Sequence, residues 1–318
     1  MTQRYPELEP FNVGMLEVGD GHSLYYEEVG SQDGIPALYL HGGPGSGCSV
    51  GARRNFNPQV YRAILVDQRG CGRSRPLASD LEVDLSTNTT HHLIGDIEVL
   101  RKHLGVEAWV IVGVSWGVTL GLVYAQRYPE RVRAMVLGAI IADPQREVRW
   151  ITHDMGRLFP REWERFTALL AEDERYGNIA AGYARLLADP NPDVRERAAY
   201  EWCLWEDTHV SLMPGWQPNP RYQDPDFRMV FARLVTHYWR HTCFLQAGEI
   251  MANIPSINHI PAVLIHGRYD ISGPLDIAWK LHKAWSSSDL GVLENAGHGG
   301  LGFPKAMTTA LNKLSHIR

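Results

Sequence analysis

Short apolar runs alternate with stretches of helical periodicity along most of the chain. Met15 to Val18 and Leu24 to Val29 flank Gly19-Asp20-Gly21, which predicts a hairpin. Further runs follow at Ala37 to Leu40, Ala63 to Val66, Trp109 to Val112 and Ala134 to Ile140, and then at Ala262 to Ile265 and Gly291 to Leu293. The middle and late runs are apolar throughout rather than alternating. That pattern suits strands buried on both faces of a parallel sheet, with helices as the crossovers. The pattern predicts eight strands, the first two antiparallel. Between about residues 144 and 253 it changes to helical periodicity, broken at Asp189-Pro190-Asn191-Pro192 and across Pro214 to Pro225. The expected organisation is therefore an α/β core from residues 1–143 and 254–318, with a helical cap, residues 144–253, inserted between the sixth and seventh strands.

Composition narrows the class. The chain has 318 residues, 44% hydrophobic and 21% charged, with a formal net charge of −5. A negative balance without a basic stripe argues against a nucleic-acid partner. No apolar run approaches the roughly 20 residues a membrane span needs, and the first residues lack the apolar core of a secretory signal. Cys48, Cys71, Cys203 and Cys243 are scattered without metal-type spacing, as expected of reduced thiols in the cytoplasm. Neither a metal nor a cofactor is expected, and a homo-oligomer is compatible with the chain. Of ten tryptophans, Trp150, Trp163, Trp202, Trp205, Trp216 and Trp239 crowd the inserted segment, so it should have aromatic surfaces of its own.

Candidate chemistry begins at Gly113-Val114-Ser115-Trp116-Gly117, between a predicted strand and a predicted helix over Val118 to Arg127. A serine flanked by glycine on both sides of a strand-to-helix turn has the form of a nucleophile elbow. Such a serine needs a base, and the base needs an acid to orient it. In open α/β sheets these groups gather beyond the carboxyl ends of strands. Asp270 follows one late strand in His266-Gly267-Arg268-Tyr269-Asp270, and His298 follows the last in Ala296-Gly297-His298-Gly299-Gly300. Alone, Asp270 also reads as a turn residue or helix N-cap before Pro274, and His298 as a surface histidine. Together they complete the order Ser115, Asp270, His298 of a hydrolase triad. The N–H groups of Trp116 and of Gly43, in His41-Gly42-Gly43-Pro44-Gly45, are the expected oxyanion donors. That glycine-rich loop lacks the companion residues of a phosphate-binding motif.

Longer motifs carry a resemblance. They are His41-Gly42-Gly43-Pro44-Gly45, Asp67-Gln68-Arg69-Gly70-Cys71-Gly72-Arg73-Ser74, Asn88-Thr89-Thr90, Ser115-Trp116-Gly117, Tyr128-Pro129-Glu130-Arg131-Val132, Trp205-Glu206, His266 to Asp270 and Ala296-Gly297-His298. Over nearly its whole length the chain resembles the prolyl aminopeptidases (proline iminopeptidases) of the α/β-hydrolase superfamily. The resemblance implies a helical cap, metal-free release of an N-terminal proline from small peptides, and acidic cap residues that bind the free amine. It carries Glu206 as one such anchor and Gly42, Trp205 and Tyr238 as substrate-binding neighbours. For Glu206, a solvated helix carboxylate is the plain alternative.

The chain departs from the family at four places, one of them Val118, where the family favours Ser or Thr. A second cap glutamate is expected in the stretch that reads Ala232-Arg233-Leu234-Val235-Thr236-His237-Tyr238, and Val235 stands in its place. Val114 adds bulk to the elbow, and Gly299-Gly300 leaves the histidine loop bare. A second reading follows: an amidase, esterase or non-hydrolytic enzyme of the same fold, acting on a natural-product intermediate in a more apolar pocket. A third, a non-catalytic binding protein, would predict a broken triad.

Overall fold

The computed structural model describes residues 4–300 and 302–317. Its centre is an eight-stranded sheet: β1 (Asn12–Gly19), β2 (His22–Gly30), β3 (Ile35–Leu40), β4 (Tyr61–Val66), β5 (Trp109–Val114), β6 (Val132–Gly138), β7 (Ala262–Gly267) and β8 (Ser288–Leu293). The strands lie in the order β1-β2-β4-β3-β5-β6-β7-β8. The first two pairings are antiparallel and every pairing from β3–β4 onward is parallel. The β1–β2 connection turns through Asp20 (φ 53°) and Gly21 (φ 75°). Two consecutive positive φ angles match the twist of a tight hairpin.

The continuous apolar runs have their predicted consequence. Side chains of one strand alternate between two buried faces. Ile111 and Leu264 point to one face, where they pack with helices α1 (Thr90–His103), α2 (Trp116–Arg127) and, later in the chain, Leu281 and Trp285. Val110, Val112 and Ile265 point to the other, against Phe303, Met307 and Leu311.

Between β6 and β7 the chain is helical. It contains α3 (Pro144–Thr152), α4 (Pro160–Thr167), α5 (Ile179–Leu186), α6 (Pro192–Val210) and α7 (Pro225–Arg240). The proline clusters separate α5 from α6 and α6 from α7, as the pattern predicts. The two remaining long helices, α8 (Leu275–Ala284) and α9 (Phe303–Lys313), return to the sheet.

The insert has its own apolar cluster, including Phe166, Tyr183, Trp202, Trp205, Phe231 and Val235. Phe166 stacks on Tyr183 (4.8 Å, 17°) and on Trp205 (5.0 Å, 12°), which accounts for much of the aromatic density. Helix α7 fastens the insert to the sheet. His237 Nε2 contacts Asn88 O at 2.9 Å, the Tyr238 hydroxyl donates to Asn88 Oδ1 (2.7 Å), and Arg233 donates to the carbonyls of Ala78 and Asp80. Asn88, in one of the quoted motifs, is thus a structural link between the two parts.

Candidate active site

The elbow is built by steric exclusion. Ser115 sits at φ 56°, ψ −123°, a conformation rarely adopted by a side-chain-bearing residue. A Cβ at Gly113 would lie 2.4 Å from Gly117 O, and one at Gly117 would lie 2.0 Å from Leu40 O. Those are the two tight positions. Val114 is not one of them: it ends β5, partly exposed and packed against the second sheet-face cluster. The expectation of added bulk at the turn is corrected accordingly.

Ser115, Asp270 and His298 converge from the ends of β5, β7 and β8. Ser115 Oγ lies 2.8 Å from His298 Nε2, and His298 Nδ1 lies 2.9 and 3.1 Å from the two oxygens of Asp270. The ring therefore donates Nδ1–H to the carboxylate and presents Nε2 to the hydroxyl as an acceptor. Asp270 is fully buried. Burial alone would push its pKa up, but the charge and hydrogen bond of His298, with help from His266 and the Gly273 N–H, hold it below the ordinary carboxylate value. Burial likewise works against a charged His298. The negative charge and hydrogen bond of Asp270, and the nearby Glu206 carboxylate, outweigh it and raise the imidazole above its ordinary value.

Around the triad lie residues that sequence reading did not single out. His266 accepts from the Ile140 N–H through Nδ1 (3.1 Å) and contacts Gly273 O through Nε2 (2.7 Å), bracing the loop that carries Asp270. Gln68 fixes the glycine-rich loop. Its side chain accepts from Trp116 Nε1 (2.8 Å) and donates to His41 O (3.1 Å), while its backbone N–H donates to His41 Nε2 (3.1 Å). Asp67 beside it accepts from the N–H groups of Cys48 and Arg73. Both residues lie in a quoted motif, but the motif alone does not say which loop they hold.

The loop and the helix start place Gly42, Gly43 and Trp116 on the wall of a cavity of about 370 Å³ that also exposes Ser115 and His298. Gly43 adopts φ 115°, and a Cβ there would lie 2.5 Å from Gly45 N. Trp116 opens α2, where its backbone N–H has no acceptor within the helix. Gly42 packs beside the nucleophile, its would-be Cβ 3.2 Å from Ser115 Cβ.

The remaining expected residues divide. Glu206 lines the cavity. Its Oε1 accepts from Trp202 Nε1 (3.2 Å), and its Oε2 lies 2.9 Å from His209 Nε2, close enough for an ion pair but not aligned as a hydrogen bond. His209 Nδ1 in turn meets Ser272 Oγ at 2.7 Å, two residues beyond Asp270. Trp205 and Tyr238 do not line the cavity. Trp205 lies in the insert's core with its Nε1 donating to Ile151 O (3.2 Å). Tyr238 sits behind the Trp116 ring, centroids 4.9 Å apart, and is spent on Asn88. Both are packing residues because their helices turn those faces inward. Val235 too is fully buried in the insert's core rather than on the cavity wall, so it does not make the cavity more apolar. Of the two bare glycines after the histidine, Gly299 faces open space and Gly300 is covered: Met213, from the segment after α6, occupies the space where a Cβ at Gly297 or Gly300 would fall.

Two further acids face the cavity, Glu147 and Asp207. Glu147 is buried on α3 and accepts from the N–H groups of Ala142 (3.3 Å) and Asp143 (3.1 Å). Burial nevertheless pushes its pKa up to about 8. Asp207 is raised by burial and accepts from the Asn219 N–H. Glu201 points elsewhere, paired with Arg165 at 3.1 Å. Among the described residues no group of three or more His, Cys, Asp or Glu side chains could hold a metal ion, and no helix is long and apolar enough to cross a membrane.

Residues 36–303 match the family described as the alpha/beta hydrolase fold. The chain is 48% identical over 314 residues to a probable proline iminopeptidase of Streptomyces coelicolor, covering 97% of each. It is 41% identical over 297 residues to the proline iminopeptidase of Neisseria gonorrhoeae, covering 92% of each. The chain belongs to the proline iminopeptidase family of α/β hydrolases. The fold agrees with solved structures. The proline iminopeptidase of Mycobacterium smegmatis superposes with a TM-score of 0.64 at 18% identity, covering 96% of this chain and 98% of that one. VinJ superposes with a TM-score of 0.66 at 21% identity, covering 97% and 99%. Within this family the short motifs of the chain act as a frame: they hold the glycine-rich loop, the elbow and α7 in fixed relation.

Proposed function

We propose that this member of the proline iminopeptidase family is a serine hydrolase that releases an N-terminal proline, or a residue of similar size, from small peptides through an acyl-enzyme. The hydrogen-bonded chain from Ser115 through His298 to Asp270 carries the reading. Ser115 attacks the carbonyl, and His298 takes its proton and returns it to the leaving amine. Asp270 keeps the ring in the productive tautomer and stabilises its charged form. The N–H groups of Gly43 and Trp116 hold the oxyanion, and loss of one such donor would cost about 10² to 10³ in rate. Glu206 receives the substrate's ammonium, since a partly buried cation needs an anion beside it. Glu147 is protonated near neutral pH and offers polarity without charge.

Residues 144–253 serve as the cap and 1–143 with 254–318 as the catalytic core, a division supported by the insert's separate apolar cluster. A cytoplasmic location fits four cysteines that are all free. The test is Ser115→Ala. It should abolish both hydrolysis of proline 4-nitroanilide and labelling by a fluorophosphonate, while leaving the circular dichroism spectrum intact. Wild-type activity confined to short acyl esters would instead favour an esterase on the same scaffold.

A further inference from the structure

The wall of the cavity beside Ser115 carries ionisable groups of both signs. Glu206 lies close enough to His298 for its charge to act on the imidazole. Beside the glycine-rich loop, Arg221, from the segment between α6 and α7, lines the same cavity. Its Nη1 donates to Ser46 O (2.7 Å), and its guanidinium lies over the Phe227 ring, 4.5 Å from the centroid. Two contacts thus fix its place on the wall.

Among the described residues Arg221 has no carboxylate partner. The ionisable groups whose charges reach it are Tyr222, Tyr39 and Cys71, all held in their neutral forms by burial. The arginines that brace the nearby framework are paired differently: Arg53 with Glu27, Arg69 with Asp96, and Arg73 with Asp67. A guanidinium carries five donors in a fork that fits a carboxylate, and Arg221 has most of that fork still to offer.

We propose that Arg221 binds the terminal carboxylate of the substrate, so that the enzyme prefers peptides of two or three residues whose amine and carboxylate are both free. The proposal rests on the reading above, in which Glu206 takes the amine. Opposite charges on the wall of one cavity recognise a zwitterion, and an extended chain of two to three residues spans about 7 to 10 Å, a length on the scale of a cavity of about 370 Å³. A longer peptide carries its carboxylate past the arginine, and an amidated one has no charge to offer. A charge-assisted, partly exposed pair of this kind is expected to give about a tenfold preference.

The experiment compares kcat/KM for Pro-Gly, Pro-Gly-amide and proline 4-nitroanilide in the wild type, Arg221→Met and Arg221→Lys. The expected result is a wild-type acid-to-amide ratio near tenfold, falling to about one in Arg221→Met and partly restored in Arg221→Lys. The ratio is the readout because losing the Ser46 contact would lower all three substrates alike. An equal wild-type rate on acid and amide overturns the proposal, as does a ratio that Arg221→Met leaves untouched. Cleavage of the anilide with a flat ratio would sink this proposal alone. Failure on all three proline substrates, with Ser115 still labelled, would remove the aminopeptidase reading and this inference with it.

Discussion

Glu147 offers the sharpest quantitative test of the site's electrostatics. In the folded protein its carboxyl is pushed by burial from the ordinary 4.5 to about 8. The folded state therefore holds a proton that the unfolded chain releases, and stability must fall as pH rises between those two values. For a shift of this size, the loss between pH 5 and pH 8 integrates to about 3 kcal/mol. Glu147→Gln removes the titration. It also turns one amide N–H₂ toward a backbone donor, either Ala142 or Asp143 N–H, at a cost of about 1 to 3 kcal/mol. The two effects have different pH signatures. At pH 5 the variant should be less stable than wild type by that hydrogen-bond penalty. By pH 8 the gap should close or reverse, because only the wild type loses stability on ionising. Urea denaturation followed by tryptophan fluorescence at pH 5, 6.5 and 8 measures the gap directly. A difference that stays constant across the three pH values would refute the protonated-acid assignment.

Other outcomes follow from the same geometry. Glu206→Gln removes one of the negative charges that raise His298, so the basic rise of kcat/KM should move to lower pH, while KM increases for free-amine substrates and not for N-blocked ones. An unshifted profile would separate Glu206 from the imidazole. Gln68→Leu strips Trp116 Nε1 and His41 O of their partner; kcat should fall about tenfold or more and stability by about 1 to 3 kcal/mol, measured by steady-state kinetics and thermal denaturation. Gly117→Ala cannot seat its methyl group 2.0 Å from Leu40 O, and the soluble yield of folded protein should collapse rather than activity alone.

The sheet was legible because its strands are short, apolar and bounded by turn residues. Seven of the eight expected runs fall within strands, and the sixth, Ala134 to Ile140, runs two residues past the end of β6; strand ends are displaced by a few residues where side chains such as Ser288 and Asp289 pair without being apolar. The elbow, the late aspartate and the late histidine were legible because their chemistry demands particular residue types at strand ends. The cavity wall was not. Trp205 and Glu206 are neighbours in sequence, yet one faces the insert's core and the other the cavity, a difference set by helix rotation and not by residue type. Glu147 belongs to no motif, and only burial gives it an unusual proton affinity. His209 and Arg221 become part of the site because α6 and the segment after it fold back over the loop that holds Ser46.

Met213 joins distant stretches of the chain in one fate. Its side chain fills the space beside Gly297 and Gly300, so the loop that carries the general base is packed against a residue borne on the insert. Descendants of this protein that acquire a side chain at position 297 or 300 must first shorten or displace the methionine. Lineages that rebuild the insert for new substrates will accordingly have to repack the histidine's loop at the same time.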